Sequence, residues 1–165
     1  MLQESKNHWD KICENPFLKD IPFKIQTDKW GNILMSPASN EHGIYQAKIV
    51  AIISRLTNNG VIISECSIQT SQGVKVADVA WASEDFMRKH KGNNPFKVSP
   101  ELCIEIISPL NTEKEIDEKK ELYFDRGAKE FWTCDLQGNI KKFEQIGIIG
   151  TSHIVSDFPD KISLW

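Results

Sequence analysis

The sequence predicts a mixed α/β domain, and three features indicate this class. Runs of apolar and β-branched residues recur along the chain and are separated by segments with helical periodicity. The run at residues 102–107 is almost continuously apolar and ends at Ser108-Pro109, which is typical of a central strand covered on both faces. Residues 41–57 instead carry an apolar stripe with helical spacing.

The first half of the chain predicts a helix, a β-hairpin and a second helix. In order, these elements are expected at residues 3–14, 23–27, 33–35 and 41–57. Asn15-Pro16 ends the first helix, and the Gly and Asn between the two short strands suit a hairpin turn. Ser39 or Asn40 is expected to cap the second helix.

The second half predicts five strands and one helix. The strands are expected at residues 61–70, 74–81, 102–107, 130–135 and 140–145, and the helix at residues 112–126. Gly127 ends that helix. The polar segment 83–100 is interpreted as a long surface connection with one helical turn.

Length and composition are those of one soluble globular domain spanning residues 1–165. The chain is 40% hydrophobic and 26% charged, and no apolar run approaches the roughly 18 residues of a membrane span. A charged N-terminus argues against export, so we expect a cytoplasmic protein with no membrane partner and four reduced cysteines. The net charge of −3 argues against a protein that coats nucleic acid, but it allows local contact with a phosphate backbone.

Two carboxylates occur where buried strands have no structural use for them. Glu105 interrupts the apolar run 102–107, and Asp78 lies within the apolar run 74–81. Burying an ionised carboxylate costs several kcal/mol unless a cation or good hydrogen-bond donors meet it. The pair therefore predicts a divalent metal site. Without metal, mutual repulsion should raise the pKa of at least one carboxyl group.

A lysine occupies the apolar face of the helix that follows Glu105. Lys119 falls about 20° from the centre of that face, whereas Lys120 lies about 80° away. Lys119 either extends past the core to water or points back across the strand of Glu105. His42 lies on the apolar stripe of its own helix, as a structural histidine or a site residue. Glu65 is interpreted as a solvated acid.

Several segments together resemble a known family. They are Met35-Ser36-Pro37-Ala38-Ser39 with His42-Gly43, Val76-Ala77-Asp78-Val79-Ala80, Ile104-Glu105-Ile106-Ile107-Ser108-Pro109, and Glu118-Lys119, Tyr123, Gly127 and Glu130-Phe131-Trp132 through Asp135. Over roughly residues 30–135 the chain resembles the Uma-two family of putative restriction endonucleases, within the PD-(D/E)XK nuclease superfamily.

The resemblance implies a restriction-endonuclease-like fold, a small mixed central sheet flanked by helices. It implies a DNA endonuclease that uses Mg²⁺, with Mn²⁺ as an alternative, and a homodimer is compatible with it. Carried over by motif, Asp78 and Glu105 hold the metal, Lys119 assists the water or the phosphate, and His42 matches a further active-site position. Two departures occur, since Ala77 replaces the name-giving proline and Ile107 replaces the usual lysine. The family supplies its lysine from the following helix.

Two other functions remain open from the sequence. One is a catalytically silent module on the same fold that binds nucleic acid or protein. The other is a metal-dependent hydrolase acting on a smaller phosphate ester.

Overall fold

The computed structural model describes residues 7–21 and 23–165. In chain order the elements are α1 His8–Cys13, β1 Phe23–Thr27, β2 Ile33–Pro37, α2 Asn40–Leu56, β3 Val61–Thr70, β4 Gly73–Ala82, α3 Glu84–His90, β5 Leu102–Ile106, α4 Glu113–Asp125, β6 Glu130–Cys134, β7 Ile140–Glu144 and β8 Gly147–Ile149. This arrangement confirms the mixed α/β class. Residues 3–6 of the predicted first helix lie outside the described residues.

The strands form two sheets. A β-hairpin, β1–β2, stands apart from a six-stranded sheet of order β3-β4-β5-β6-β7-β8. Every neighbouring pair in the large sheet is antiparallel except β5 and β6, which are parallel. A parallel pair needs a crossover connection, and α4 provides it. All five residues of β5 are buried, as its apolar sequence predicts.

Two large apolar clusters cover the two faces of the large sheet, and a third, smaller cluster packs α1 against the start of β4. Alternate residues of β5 belong to different clusters, because Ile104 packs with α2 residues such as Ile49, whereas Cys103 packs with α4 residues such as Tyr123. Successive side chains of a strand point to opposite faces, so the two clusters lie on the two sides of the sheet. Glu105 therefore shares the α4 side with Cys103.

Two regions differ from the sequence-based expectation. Residues 84–90, expected to be part of a loop, form the helix α3, whose cap Ser83 accepts a hydrogen bond from the amide of Phe86 at 3.0 Å. Strand β8 and the chain after it had no predicted structure. Val155, Phe158 and Ile162 of that final segment are buried in the α2-side cluster.

Side chains, not a backbone ladder, join the β1–β2 hairpin to the large sheet. Thr27 Oγ1 accepts a hydrogen bond from the amide of Val74 at 2.7 Å, and Gln26 Oε1 accepts one from the amide of Val76 at 3.1 Å. These contacts align β1 with β4 and bring Lys24 next to Asp78. No helix in the described part of the chain is long and apolar enough to cross a membrane.

Candidate active site

Asp78 and Glu105 lie at the point where two strands of the large sheet separate. The β4–β5 ladder ends with the pair Val79 and Ile104, one position before Asp78 and Glu105 would pair. Asp78 Oδ2 instead accepts a hydrogen bond from the amide of Ile106 at 2.7 Å. A carboxylate thus replaces the missing ladder partner. Both acids are nearly inaccessible, with 1% and 3% of their surface exposed.

Asp78 is surrounded by hydrogen-bond donors. Lys24 Nζ donates to Asp78 Oδ1 at 2.5 Å, and His42 Nε2 lies 3.2 Å from the same oxygen. Burial alone would raise the pKa of Asp78, but the His42 hydrogen bond and the Lys24 charge lower this pKa well below its ordinary value. The rise in pKa predicted for at least one of the two carboxyl groups does not occur at Asp78, because the sequence does not reveal the cation beside it.

Glu105 has a different set of partners. Lys119 Nζ donates to Glu105 Oε2 at 2.9 Å, and the Tyr123 hydroxyl donates to Oε1 at 2.8 Å. Burial, and then the charge of Glu105, raise the pKa of Tyr123 well above its ordinary value. The hydroxyl of Tyr123 therefore stays protonated and donates a hydrogen bond to Glu105. Lys24 Nζ lies 3.9 Å from Oε2. Lys24 therefore contacts both carboxylates.

Helix α4 positions Lys119. Thr112 and Glu115 form a reciprocal capping box that starts the helix after the short loop that follows β5. In the next turn, the Lys119 side chain points toward the sheet and reaches Glu105, with 19% of it exposed. Lys120 turns away, donates to Asp117 Oδ1 at 2.8 Å, and lies 5.0 Å from the Phe143 ring centre. The two adjacent lysines thus have the separate orientations that helical periodicity predicts.

Helix α2 positions His42 in its first turn. The cap residue Ser39 accepts a hydrogen bond from the His42 amide through Oγ at 3.1 Å. The imidazole points into the site, with 18% of the side chain exposed. Its hydrogen bond to Asp78 raises the pKa of His42, and burial opposes this rise. His42 therefore contacts the carboxylate site and not only the apolar core.

Sequence reasoning missed Lys24. Its side chain is 13% exposed and lies beside both carboxylates. Burial lowers the pKa of Lys24, but the charges of Glu105 and Asp78 outweigh burial and raise it above its ordinary value. No local pattern could identify this residue, because Lys24 lies in a short hairpin strand 54 residues before Asp78.

Glu65 also lies closer to the site than expected. It stands across from Asp78 on β3, between the paired residues Ser64 and Cys66, with φ at 54°. This left-handed conformation is uncommon for a residue with a side chain. Gln46 Nε2 donates at 2.8 Å both to Glu65 Oε1 and to the Asp78 backbone carbonyl. Glu65 is exposed, as predicted.

The carboxylates open onto a cleft with a volume of about 1870 Å³. Its walls are the β1–β2 hairpin, the start of α2 and the helix α4. Lys114 lines this cleft. Arg88 and Lys89 do not; both pair with Asp85 on α3, as a solvated charge run would. The lysines that line the cleft therefore come from the hairpin, β4 and α4.

The donor set fits a divalent cation. The carboxylates of Asp78 and Glu105 face one buried cation, the Lys24 ammonium, so the protein already builds a cation position between them. Carboxylate oxygens are the hard ligands that Mg²⁺ prefers, and this ion usually takes one or two of them together with waters. The site chemistry is compatible with that ion.

A second group of potential ligands is explained by structure alone. Ligand atoms of Glu130, Glu144 and His153 lie within 4.8 Å of one another. The buried Glu130 accepts four hydrogen bonds, from Trp132 Nε1, Ser152 Oγ and the amides of His153 and Ile154. Four bonds use all the lone pairs of a carboxylate. Glu130 therefore anchors the final segment to β6.

A solved structure shares this fold. It is the crystal structure of a putative nuclease belonging to DUF820 from Anabaena variabilis, which matches the fold of this chain with a TM-score of 0.66. The match covers 81% of this chain and 84% of that chain at 15% sequence identity, which shows a shared fold. No curated protein sequence matches this chain.

The family follows from the sequence itself. Residues 31–141 match the model of the Uma2 family, described as putative restriction endonuclease. The chain belongs to this family, which confirms the resemblance drawn from the motifs. It is therefore an enzyme of the endonuclease class. Asp78, Glu105, Lys119 and His42 lie inside the matched range, and Lys24 lies before it.

Proposed function

We propose that the protein is a Mg²⁺-dependent DNA endonuclease in which Asp78 and Glu105 hold the metal and Lys119 acts on the attacking water or the scissile phosphate. One observation supports this assignment above others. Lys119 Nζ lies 2.9 Å from Glu105 Oε2 at the wall of a cleft, although helical patterning would place an apolar residue there. Mn²⁺ is a second ion that this site suits.

The chain's own groups have distinct tasks in this proposal. The chemistry that a bound Mg²⁺ supplies is charge neutralisation on the phosphate and a water of lowered pKa. Lys119, held by Glu105, presents an ammonium to the negative charge that develops on the phosphate. His42, held by Asp78, is a positioning residue that orients this carboxylate. Tyr123 orients the other carboxylate through its hydroxyl.

A plasmid assay tests the proposal. Supercoiled plasmid should be cleaved in millimolar Mg²⁺ and not in EDTA, and Asp78→Ala or Glu105→Ala should each lower the rate by about 10²-fold or more. Small phosphodiesters should be poor substrates. Plasmid that stays intact with every divalent ion would favour a silent binding module, whereas faster cleavage of the small ester would favour the smaller-substrate hydrolase.

The neighbouring lysines provide a matched control. Lys119→Ala should lower Mg²⁺-dependent cleavage by about 10²-fold, because it removes the ammonium beside Glu105. Lys120→Ala removes the same charge one residue later and should leave the rate nearly unchanged. Equal losses in the two variants would contradict the role of Lys119.

A further inference from the structure

Lys24 lies before the part of the chain that matches the family model, residues 31–141. Its ammonium contacts Asp78 Oδ1 at 2.5 Å and lies 3.9 Å from Glu105 Oε2. It thus lies between the two carboxylates proposed above to hold the metal. A lysine in this position needs an explanation beyond packing, because β1 could supply an apolar residue at the same place.

The charges of the site balance without metal. The two carboxylates, Asp78 and Glu105, are matched by the two ammonium groups of Lys24 and Lys119, and His42 beside Asp78 adds a further positive charge when its imidazole is protonated. A divalent ion added to this arrangement would leave two uncompensated positive charges in a largely buried place, which is unfavourable. Moving one ammonium out into the cleft removes half of this excess and vacates the space between the carboxylates.

Lys24 is the ammonium that is able to leave. Both lysines line the cleft, but Lys24 lies near both carboxylates, whereas Lys119 extends from the packed helix α4 to Glu105, so the departure of Lys24 is the one that frees the position between the acids. The hairpin is anchored farther along the strand, at Gln26 and Thr27. The four-carbon lysine side chain is flexible, so it reaches the cleft without movement of its own strand.

We infer that Lys24 is a built-in counter-cation that occupies the metal position of the free protein and is expelled into the cleft when a divalent ion binds. The inference rests on the metal centre proposed above and adds its regulation. While no metal is bound, Lys24 keeps the two carboxylates in place and lowers their affinity for a metal ion. After a metal ion has displaced it, the Lys24 ammonium faces the space in the cleft where a phosphate would lie.

Calorimetric titration with Mn²⁺ and with Mg²⁺, in the absence of DNA, tests this inference. Lys24→Met keeps the length of the side chain and removes its charge, so it should bind metal about tenfold more tightly than the wild type. Lys11→Met makes the same change at an exposed position of α1, outside the cleft, and should bind metal as the wild type does. Equal or weaker binding by Lys24→Met would overturn the inference.

Asp78→Asn separates this inference from the metal centre itself. Loss of metal binding in Asp78→Asn together with unchanged binding in Lys24→Met would refute the role of Lys24 alone. If neither the wild type nor Lys24→Met binds metal, both the metal centre and the counter-cation are refuted.

Amine labelling of the wild type gives a second test that does not depend on the folding of a variant. Lys24 should be protected from an amine-reactive reagent in EDTA and should react several-fold faster at saturating Mg²⁺, as mass spectrometry of its peptide reports. The exposed Lys29 serves as the internal reference. A Lys24 that stays protected as metal saturates the protein would overturn the inference.

Discussion

At the scale of single residues, the two buried carboxylates are held by different kinds of partner. Asp78 takes a backbone amide, an imidazole and an ammonium, whereas Glu105 takes a phenol and an ammonium. Charge-assisted hydrogen bonds of this kind compensate for the loss of water around a buried acid. The protein therefore holds both acids in position with its own side chains and backbone. Removing one partner should be costly, because the others stay buried.

Replacing Asp78 by Asn should destabilise the metal-free protein. The change keeps the volume of the side chain but leaves the Lys24 ammonium without its nearest carboxylate, which should cost about 2 kcal/mol. Thermal and urea unfolding in EDTA measure this loss. Asp85→Asn removes an exposed acid of α3 and should change stability little. A more stable Asp78→Asn variant would show that repulsion between the two acids dominates the site.

His42 should make the stability of the metal-free protein depend on pH. Because the bond to Asp78 raises the pKa of His42 in the folded state, its stabilising contribution is complete below the ordinary histidine pKa of about 6.5. The contribution is lost as the pH rises through the folded value. We therefore expect the difference in unfolding free energy between the wild type and His42→Gln, measured in EDTA from pH 5.5 to 8.5, to become smaller as the pH rises.

A surface histidine provides the control for this pH series. His90→Gln removes a histidine that lies on α3 against Phe86, away from the carboxylates. Its gap to the wild type should not follow the pattern of His42→Gln. A gap for His42→Gln that widens toward alkaline pH would show that the neutral imidazole is the stabilising form.

Three site residues could be predicted because each breaks a pattern. Asp78 and Glu105 interrupt apolar strands, and Lys119 interrupts the apolar face of a helix. Lys24 breaks no pattern, since short hairpin strands commonly carry a lysine. Its role depends on how β1 docks against β4, and local sequence does not encode that contact. Residues that break a sequence pattern therefore identify the two acids and Lys119, but not Lys24.

At the scale of elements, the contact between two turns holds the hairpin in place. Gly73 starts β4 with φ at 89°, and a Cβ atom built there would lie 2.1 Å from the backbone carbonyl oxygen of Asp28. The turn of the β1–β2 hairpin therefore lies directly on the turn between β3 and β4. Only glycine combines this backbone conformation with such a close approach. The position of Lys24 depends on this contact.

Gly73→Ala should displace the hairpin. The added methyl group meets backbone that has little freedom to move, so we expect a loss of about 2 kcal/mol or more in the free energy of unfolding. Hydrogen exchange at the Val74 and Val76 amides should accelerate, because Thr27 and Gln26 accept their hydrogen bonds.

A helical glycine is the matched control for this substitution. Gly43 lies in α2 with no atom within 4 Å of a built Cβ. Gly43→Ala should therefore stabilise the protein by up to about 1 kcal/mol, through helix propensity alone. If Gly73→Ala were equally harmless, the two turns would not be in fixed contact.

Sequence patterns predicted the long elements better than the short or isolated ones. Helix α4 carries both a capping signal and an apolar face, and its observed bounds differ from the prediction by one residue at each end. Helix α3 has only seven residues, and its capping signal at Ser83 was hidden in a polar segment. The segment after β8 has no periodicity, because it packs through separate residues such as Val155 and Phe158.

At the scale of the whole molecule, the distribution of charge limits how strongly a nucleic acid is attracted. The net charge is −3, and two of the lysines at the cleft, Lys24 and Lys119, are already paired with carboxylates. Helix α4 also contributes five acids to the lining of the cleft, namely Glu113, Glu115, Asp117, Glu118 and Glu121. Long-range steering toward a polyanion should therefore be weak, and local contacts should carry most of the binding.

Binding of a short DNA duplex in EDTA should accordingly be weak and set by few phosphate contacts. Lys29 and Lys114 are exposed at the cleft, and Lys75 is half-buried there. Neutralising about three phosphates predicts a slope of roughly −3 when the logarithm of the association constant is plotted against that of the salt concentration. Fluorescence anisotropy from low salt to about 200 mM measures this slope.

Lys114→Ala should reduce the slope by about one, whereas Lys89→Ala on α3 should leave it unchanged. Tight binding that survives high salt in EDTA would instead locate DNA recognition on a surface other than this cleft.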